Sequence, residues 1–265
     1  MADGGTIYLA GGLDSAGRST GGVFSVDPRD GRVRLLGVLP RPFHDAAGAI
    51  LGGDLLAFGG GSTSSTDAVR SFDLSSLTGR VAGHLPTALS DLSAATLGST
   101  VYLVGGFDGT SPRREIYATS DGMSFRVAGR LPEGLRYPAV APAGGRIIVA
   151  GGISSAGPVS GVWAYDPASG AVRSIGRLPR PLGHAGAISL GSLVVVVGGT
   201  DAAGRALRSV SLIDASTGRI WEGQPLSRSV SDPGVAAADG VGWVLGGFRA
   251  TAVSDVVRVA IVGGC

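Results

Sequence analysis

Five dipeptides recur at nearly equal spacing in this 265-residue chain and set chemically versatile side chains, two of its three histidines among them, at equivalent positions: His44-Asp45, Ser90-Asp91, Arg136-Tyr137, Gly183-His184 and Ser231-Asp232. Their first members lie 46, 46, 47 and 48 residues apart. Imidazole, carboxylate, guanidinium and phenol groups exchange protons, clamp anions and hold hydroxyls, so a ring of such pairs would suit a polar ligand. Each pair opens a segment that is otherwise small and apolar, such as Ala46-Ala47-Gly48-Ala49 or Ala185-Gly186-Ala187-Ile188, where Arg or Tyr has no packing reason to stand. Asp45, Asp91 and Asp232 have an ordinary structural use as well: bonding loop amides where repeats join is the expectation for their carboxylates. The candidate ligand-binding set is His44, Asp45, Ser90, Asp91, Arg136, Tyr137, His184 and Asp232.

The elements that must position these pairs follow from a second repeat. A glycine pair returns at Gly11-Gly12, Gly59-Gly60, Gly105-Gly106, Gly151-Gly152, Gly198-Gly199 and Gly246-Gly247, each closing a short apolar run. Five ungapped 17-residue segments, from His44–Gly60 to Ser231–Gly247, begin with one of the polar dipeptides and end with a glycine pair. Each reads as a hairpin whose first strand, a, is small and whose second, b, is large, as in Val101-Tyr102-Leu103-Val104 and Val194-Val195-Val196-Val197. Blades converging on an axis produce that gradient, and unbroken aliphatic runs imply burial on both faces. A polar loop, a strand c such as Val162-Trp163-Ala164-Tyr165, an Asp-led turn such as Asp166-Pro167-Ala168-Ser169-Gly170 and a strand d complete the repeat. Strand d is expected to end at Leu39-Pro40, Leu85-Pro86, Leu131-Pro132 or Leu178-Pro179, because proline removes a ladder donor. A period near 50 with four strands per repeat implies radial repetition: one all-β domain over residues 1–265, a six-bladed β-propeller. Strands alternate direction, so the long b-to-c loops and the d-to-a crossovers share one face, where the polar dipeptides ring the channel mouth.

The double glycine, the strand c ending in Tyr165-Asp166-Pro167, strand d and the proline crossover together resemble the kelch repeat, most fully over Val162–Gly199 and Val23–Gly60. The resemblance implies a kelch-type propeller acting as a rigid recognition platform for a protein segment or a glycan. It also brings two enzymatic readings. Copper radical chemistry needs a Cys crosslinked to Tyr and paired His ligands, which a single terminal Cys265 and three scattered His do not supply. A sialic acid-like epimerase or mutarotase, an activity of some bacterial kelch propellers, would need a base and an anion clamp, for which Glu133 and Arg136 beside Tyr137 are the candidates. The family's usual aromatic in strand d is replaced by Val33, Val81 and Val172, changes expected to affect packing more than topology.

Composition removes other classes. All 22 basic residues are Arg, the net charge is +2, and the arginines form no stripe, which argues against nucleic acid. No apolar run approaches membrane-spanning length, and one cysteine builds neither a disulfide framework nor a multi-Cys zinc site. Asp14, Asp108 and Asp201, two residues beyond their glycine pairs, fit Asx turns better than calcium ligands, so no metal and no cofactor is expected. The chain is expected to be monomeric. Its first repeat opens at the end of a strand a, and its last reaches strand c at Asp255–Ala260, which suggests a piece of a longer, extracytoplasmic bacterial protein; irregular closure through Ile261–Gly264 is the alternative.

Overall fold

The computed structural model describes residues 1–249, 251 and 253–260. Cys265 and the segment Ile261–Gly264 therefore lie outside the described residues. Within them the chain folds as six small antiparallel sheets around an axis, and no helix is long and apolar enough to cross a membrane. Blade 1 comprises Ala2–Asp3, Thr6–Ala10, Thr20–Val26 and Val33–Phe43; blade 2 comprises Ala47–Leu51, Asp54–Phe58, Thr66–Asp73 and Thr78–Leu89. Blade 3 is built from Ser93–Leu97, Thr100–Val104, Glu115–Thr119 and Arg126–Arg130, and blade 4 from Ala139–Ala143, Arg146–Ala150, Gly161–Tyr165 and Val172–Arg177. Gly183–Leu190, Leu193–Thr200, Val210–Asp214 and Ile220–Glu222 form blade 5, and Gly234–Ala238, Val241–Leu245 and Val256–Val259 form blade 6. In order these are strands a, b, c and d in blades 1 to 5, and a, b and c in blade 6 among the described residues.

The core is divided among the gaps between blades. Ala139, Ala141, Ile148 and Ala164 of blade 4 pack on Val194, Val196 and Ile213 of blade 5, and comparable buried clusters fill the other interfaces. Ile7 and Val26 of blade 1 meet Ala236, Ala238 and Leu245 of blade 6, so packing closes the ring. Small residues in strand a are a steric requirement: a Cβ on Gly186 would lie 2.3 Å from Val235 of the next blade. The glycine pairs serve the crossovers. Gly60, Gly106, Gly152 and Gly199 donate their amides to the carbonyls of Leu89, Leu135, Leu182 and Val230, each the residue before a mouth dipeptide. At Gly59 (φ 64°) and Gly105 (φ 67°) a Cβ would fall 2.2 and 2.4 Å from the carbonyl oxygens of Leu89 and Leu135, so both conformation and close approach demand glycine.

The prolines act less uniformly than expected. Strand d ends before Leu131-Pro132 and Leu178-Pro179, but in blades 1 and 2 it continues past Pro40 and Pro86. There the partner of strand c jumps from Val38 to Phe43 and from His84 to Leu89, a bulge that absorbs the missing donor. Tyr165 is buried and donates its hydroxyl to the carbonyl of Ala128 at 3.1 Å, tying blade 4 to blade 3. Val33 and Val81, at two of the substituted strand d positions, are exposed and leave the topology intact.

Candidate functional site at the channel mouth

The bridges that place the mouth dipeptides are repeated around the ring. His44, Ser90, Arg136 and Ser231 each exchange two backbone hydrogen bonds with the residue after the glycine pair of the same blade: Gly61, Phe107, Ile153 and Phe248. The following residue then turns the chain over in the left-handed region, with φ of 56° at Asp45, 61° at Asp91, 47° at Tyr137, 57° at His184 and 50° at Asp232. Aspartate and histidine are among the residues that tolerate this conformation best, while tyrosine adopts it at a cost of roughly 1–2 kcal/mol. The turned residues link blades through their backbones: Asp91 N–H donates to Asp45 C=O (2.9 Å), Tyr137 N–H to Asp91 C=O (2.8 Å), and Asp232 N–H to His184 C=O (2.9 Å).

All eight ligand-binding candidates take part in this mouth structure, and most join one polar network. The Tyr137 hydroxyl reaches from blade 4 to Asp45 of blade 2, donating to its carboxylate at 3.0 Å. Its ring stacks on His184 of blade 5, with centroids 3.8 Å apart and planes at 26°. His184 Nδ1 lies 2.5 Å from Asp232 Oδ1 of blade 6 in an imidazole-to-carboxylate hydrogen bond. His44 has Nε2 3.6 Å from Asp45 and Nδ1 2.9 Å from Ser19 Oγ. Arg136 donates from Nε to Asp91 at 2.6 Å, and its guanidinium carbon lies over Phe107, 4.2 Å from the ring centroid. Ser90 accepts a hydrogen bond from Ser65 Oγ at 3.0 Å. Behind the mouth, small strand a residues such as Ala47, Ala94 and Gly234, together with Met1, line a channel cavity of about 280 Å³.

The electrostatics follow from crowding. Burial, and then the neighbouring Asp91 carboxylate, push the Asp45 carboxyl above its ordinary 3.8, against the pull of His44 and the Tyr137 hydroxyl. Burial and the Asp45 and Asp91 charges push the Tyr137 phenol far above its usual range, so it stays a hydrogen-bond donor. Burial works against the Arg136 charge, but Asp91 outweighs it and holds the guanidinium above its ordinary value.

One expectation about this site needs correction. Among the described residues the aspartates do not bond loop amides through their carboxylates: Asp45, Asp91 and Asp232 receive Tyr137, Arg136 and His184 side chains from other blades. Of the candidate base and clamp, Arg136 pairs with Asp91, and Glu133 lines a cavity of about 300 Å³ with Trp163, Ser174 and Arg177. By contrast, Asp14, Asp108 and Asp201 form the expected Asx turns, accepting amides from Ala16, Thr110 and Ala203 at 2.8–2.9 Å.

Sequence reasoning missed Ser19, Ser65 and Phe107 in the network, although Phe107 directly follows a glycine pair and so has a readable register. It also missed Arg70, a charged residue inside the strand Val69-Arg70-Ser71-Phe72. Arg70 is buried, donates to the carbonyls of Pro40 (3.1 Å) and Gly59 (2.9 Å) and covers the Phe43 ring. It staples the first crossover.

Four-stranded blades around a channel, with their long loops and crossovers on one face, define the chain as a six-bladed β-propeller. It is of the kelch type: residues 134–179, which span blade 4, match the Kelch motif. No curated protein matches the chain. Among solved structures, that of YjhT aligns with a TM-score of 0.85 at 16% identity, covering 98% of this chain and 93% of that one. The likeness is one of fold.

Proposed function

We propose that the channel mouth is a recognition site for a protein segment or a glycan, with Arg136, Tyr137, His44 and His184 as the ligand-facing groups and the aspartates as their positioning partners. One observation carries this reading: Tyr137 and His184 hold the left-handed region at φ 47° and 57° inside a polar network spanning blades 2, 4, 5 and 6. Strained bulky residues are kept where the surrounding contacts over-determine them, and such positions cluster at binding sites. A phenol and imidazole stacked beside a guanidinium supply apolar ring surface, a phenol oxygen that can still accept, and guanidinium N–H groups beyond the Nε bonded to Asp91, which suits an amide or hydroxyl-bearing ligand.

The test is a screen of the whole chain against glycan and peptide libraries, followed by contact mapping of any hit. Tyr137→Phe and Arg136→Lys, which keep ring and charge, should each lower affinity about tenfold, because each removes an intramolecular bond that orients the mouth, to Asp45 or to Asp91, and a polar atom open to the ligand. A ligand mapped to the Asp-led turns of the opposite face would overturn the proposal. So would accelerated interconversion of sialic acid or aldose anomers in proton NMR, which would make the mouth catalytic.

A further inference from the structure

The cavity of about 300 Å³ that Glu133 lines is built on the outer strands of blade 4, beside the crossover from blade 3. In the ladder between strands c and d, Trp163 lies opposite Ser174 and Gly161 opposite Arg177. These four residues therefore share one face of the sheet, the face on which Trp163 packs with Tyr102 and Ile116 of blade 3. Gly161 is a condition of the arrangement, because a Cβ there would lie 2.3 Å from the Trp163 ring. Glu133 reaches the same cavity half-buried from the crossover, and Pro158 and Ser160 reach it from the b-to-c loop.

The two charges of this cavity are both unspent. Glu133 has no ion pair among the described residues, and the side-chain bond that Arg177 makes among them is long, 3.5 Å from Nη1 to Ser160 Oγ. Blade 3 shows the alternative: Arg130 holds the place of Arg177 there, opposite Glu115, and the two pair at 3.7 Å. In blade 4 the glycine that makes room for Trp163 stands where that carboxylate would be. The crossovers differ in the same sense, since the residue after Leu-Pro is Arg41, Thr87, Glu133 or Arg180, and the one carboxylate of the four falls beside Trp163. The indole N–H of Trp163 makes no hydrogen bond among the described residues and is not sealed from solvent, because the one buried side-chain polar atom without a partner among them is that of Trp243.

We propose that this cavity is a second binding site, separate from the mouth, for a free α-amino acid with an apolar side chain. Glu133 receives its ammonium group, Arg177 its carboxylate, and Trp163 and Pro158 its side chain, while the Ser160 and Ser174 hydroxyls complete the bonds of the carboxylate. Opposite charges that share a cavity without pairing select a ligand that carries both, and a guanidinium is the group best shaped to hold a carboxylate. Size favours a small molecule: about 300 Å³ stands at the lower limit of ligand cavities.

The probe is L-leucine, compared with N-acetyl-leucine, which lacks the ammonium group, and leucinamide, which lacks the carboxylate, each titrated into the full chain. The readout is the Trp163 indole N–H signal in a proton–nitrogen NMR spectrum, assigned by its loss in Trp163→Phe. Leucine should shift it saturably while the Tyr137 and His184 amides stay unchanged, and each derivative should bind at least tenfold more weakly. Glu133→Gln should weaken leucine at least tenfold and leave N-acetyl-leucine unaffected, whereas Arg177→Gln should weaken leucine and leave leucinamide unaffected. The derivatives test the same two charges in the unaltered chain, so the outcome does not depend on either variant folding. Equal binding of the three compounds, no saturable shift with leucine, or shifts centred on the mouth overturns the proposal. So does a variant that weakens leucine and both derivatives alike.

Discussion

The carboxylates at the channel mouth and those in the turns of the opposite face are the same residue type under opposite regimes. Asp73, Asp121 and Asp214 are satisfied locally: Asp73 accepts the Ser75 amide at 2.8 Å and its hydroxyl at 2.6 Å, Asp121 the Met123 and Ser124 amides at 2.8 and 2.7 Å, and Asp214 the Ser216 amide at 2.8 Å. Bonds from serine hydroxyls and backbone amides hold the carboxyls of Asp73 and Asp214 down at about 2. Asp45, Asp91 and Asp232 instead depend on groups 92, 45 and 48 residues away, and Asp45 is pushed up by burial and charge crowding. A turn carboxylate shapes its own loop. A mouth carboxylate exists in its present form only because the ring has closed.

Breaking the mouth should cost most. Arg136→Ala strands Asp91, whose side chain is 2% exposed, and since the guanidinium itself is a third exposed the expected loss is about 2 kcal/mol, below the figure for a fully buried pair. For a chain of this size that corresponds to roughly 4–8 °C in a thermal melt. An unchanged melting temperature would mean that Arg136 serves a ligand alone.

Asp45→Asn sharpens the contrast through pH. A carboxyl raised in the folded state binds its proton more tightly than in the unfolded chain, so its contribution is fully present below 3.8 and is lost as pH rises through the folded value. The Asn variant keeps an acceptor for Tyr137 and has no charge to desolvate. Urea unfolding at pH 3, 5 and 7 should show its advantage growing with pH from near zero, and a constant difference would contradict the raised carboxyl.

The smallest effect is expected at a turn. Asp214 has a depressed carboxyl, so its contribution is present above 3.8 and lost as pH falls towards 2. Asp214→Ala should lower the melting temperature slightly at pH 7, with the difference closing on acidification. The two variants should therefore show pH slopes of opposite sign.

Much of the fold was legible because its signals are local and repeated. The glycine pairs recur in all six blades, and the small-to-large hairpins and the Asp-led turns in five among the described residues, so weak signals in register become one strong one. Bulged continuation of strand d past Pro40 and Pro86 was not legible, since a bulge depends on what strand c offers opposite it. Val33 and Val81 could be read as harmless because the outer strand faces solvent.

The mouth divides along the same line. Periodicity alone placed His44, Asp45, Ser90, Asp91, Arg136, Tyr137, His184 and Asp232 at one end of the channel, because equal spacing around an axis brings equivalent positions together whatever their identity. Which of them touch was decided by tertiary structure: Tyr137 of blade 4 bonds Asp45 of blade 2, Arg136 pairs with Asp91, and His184 turns to Asp232. Sequence proximity favoured Glu133, three residues from Arg136, yet Arg136 pairs with an aspartate 45 residues away. The physical reason is that the crossovers bring the dipeptides of different blades together at the mouth: the left-handed turn at Tyr137 and His184 and the backbone bridge of Arg136 to Ile153 fix side chains that meet partners from other blades.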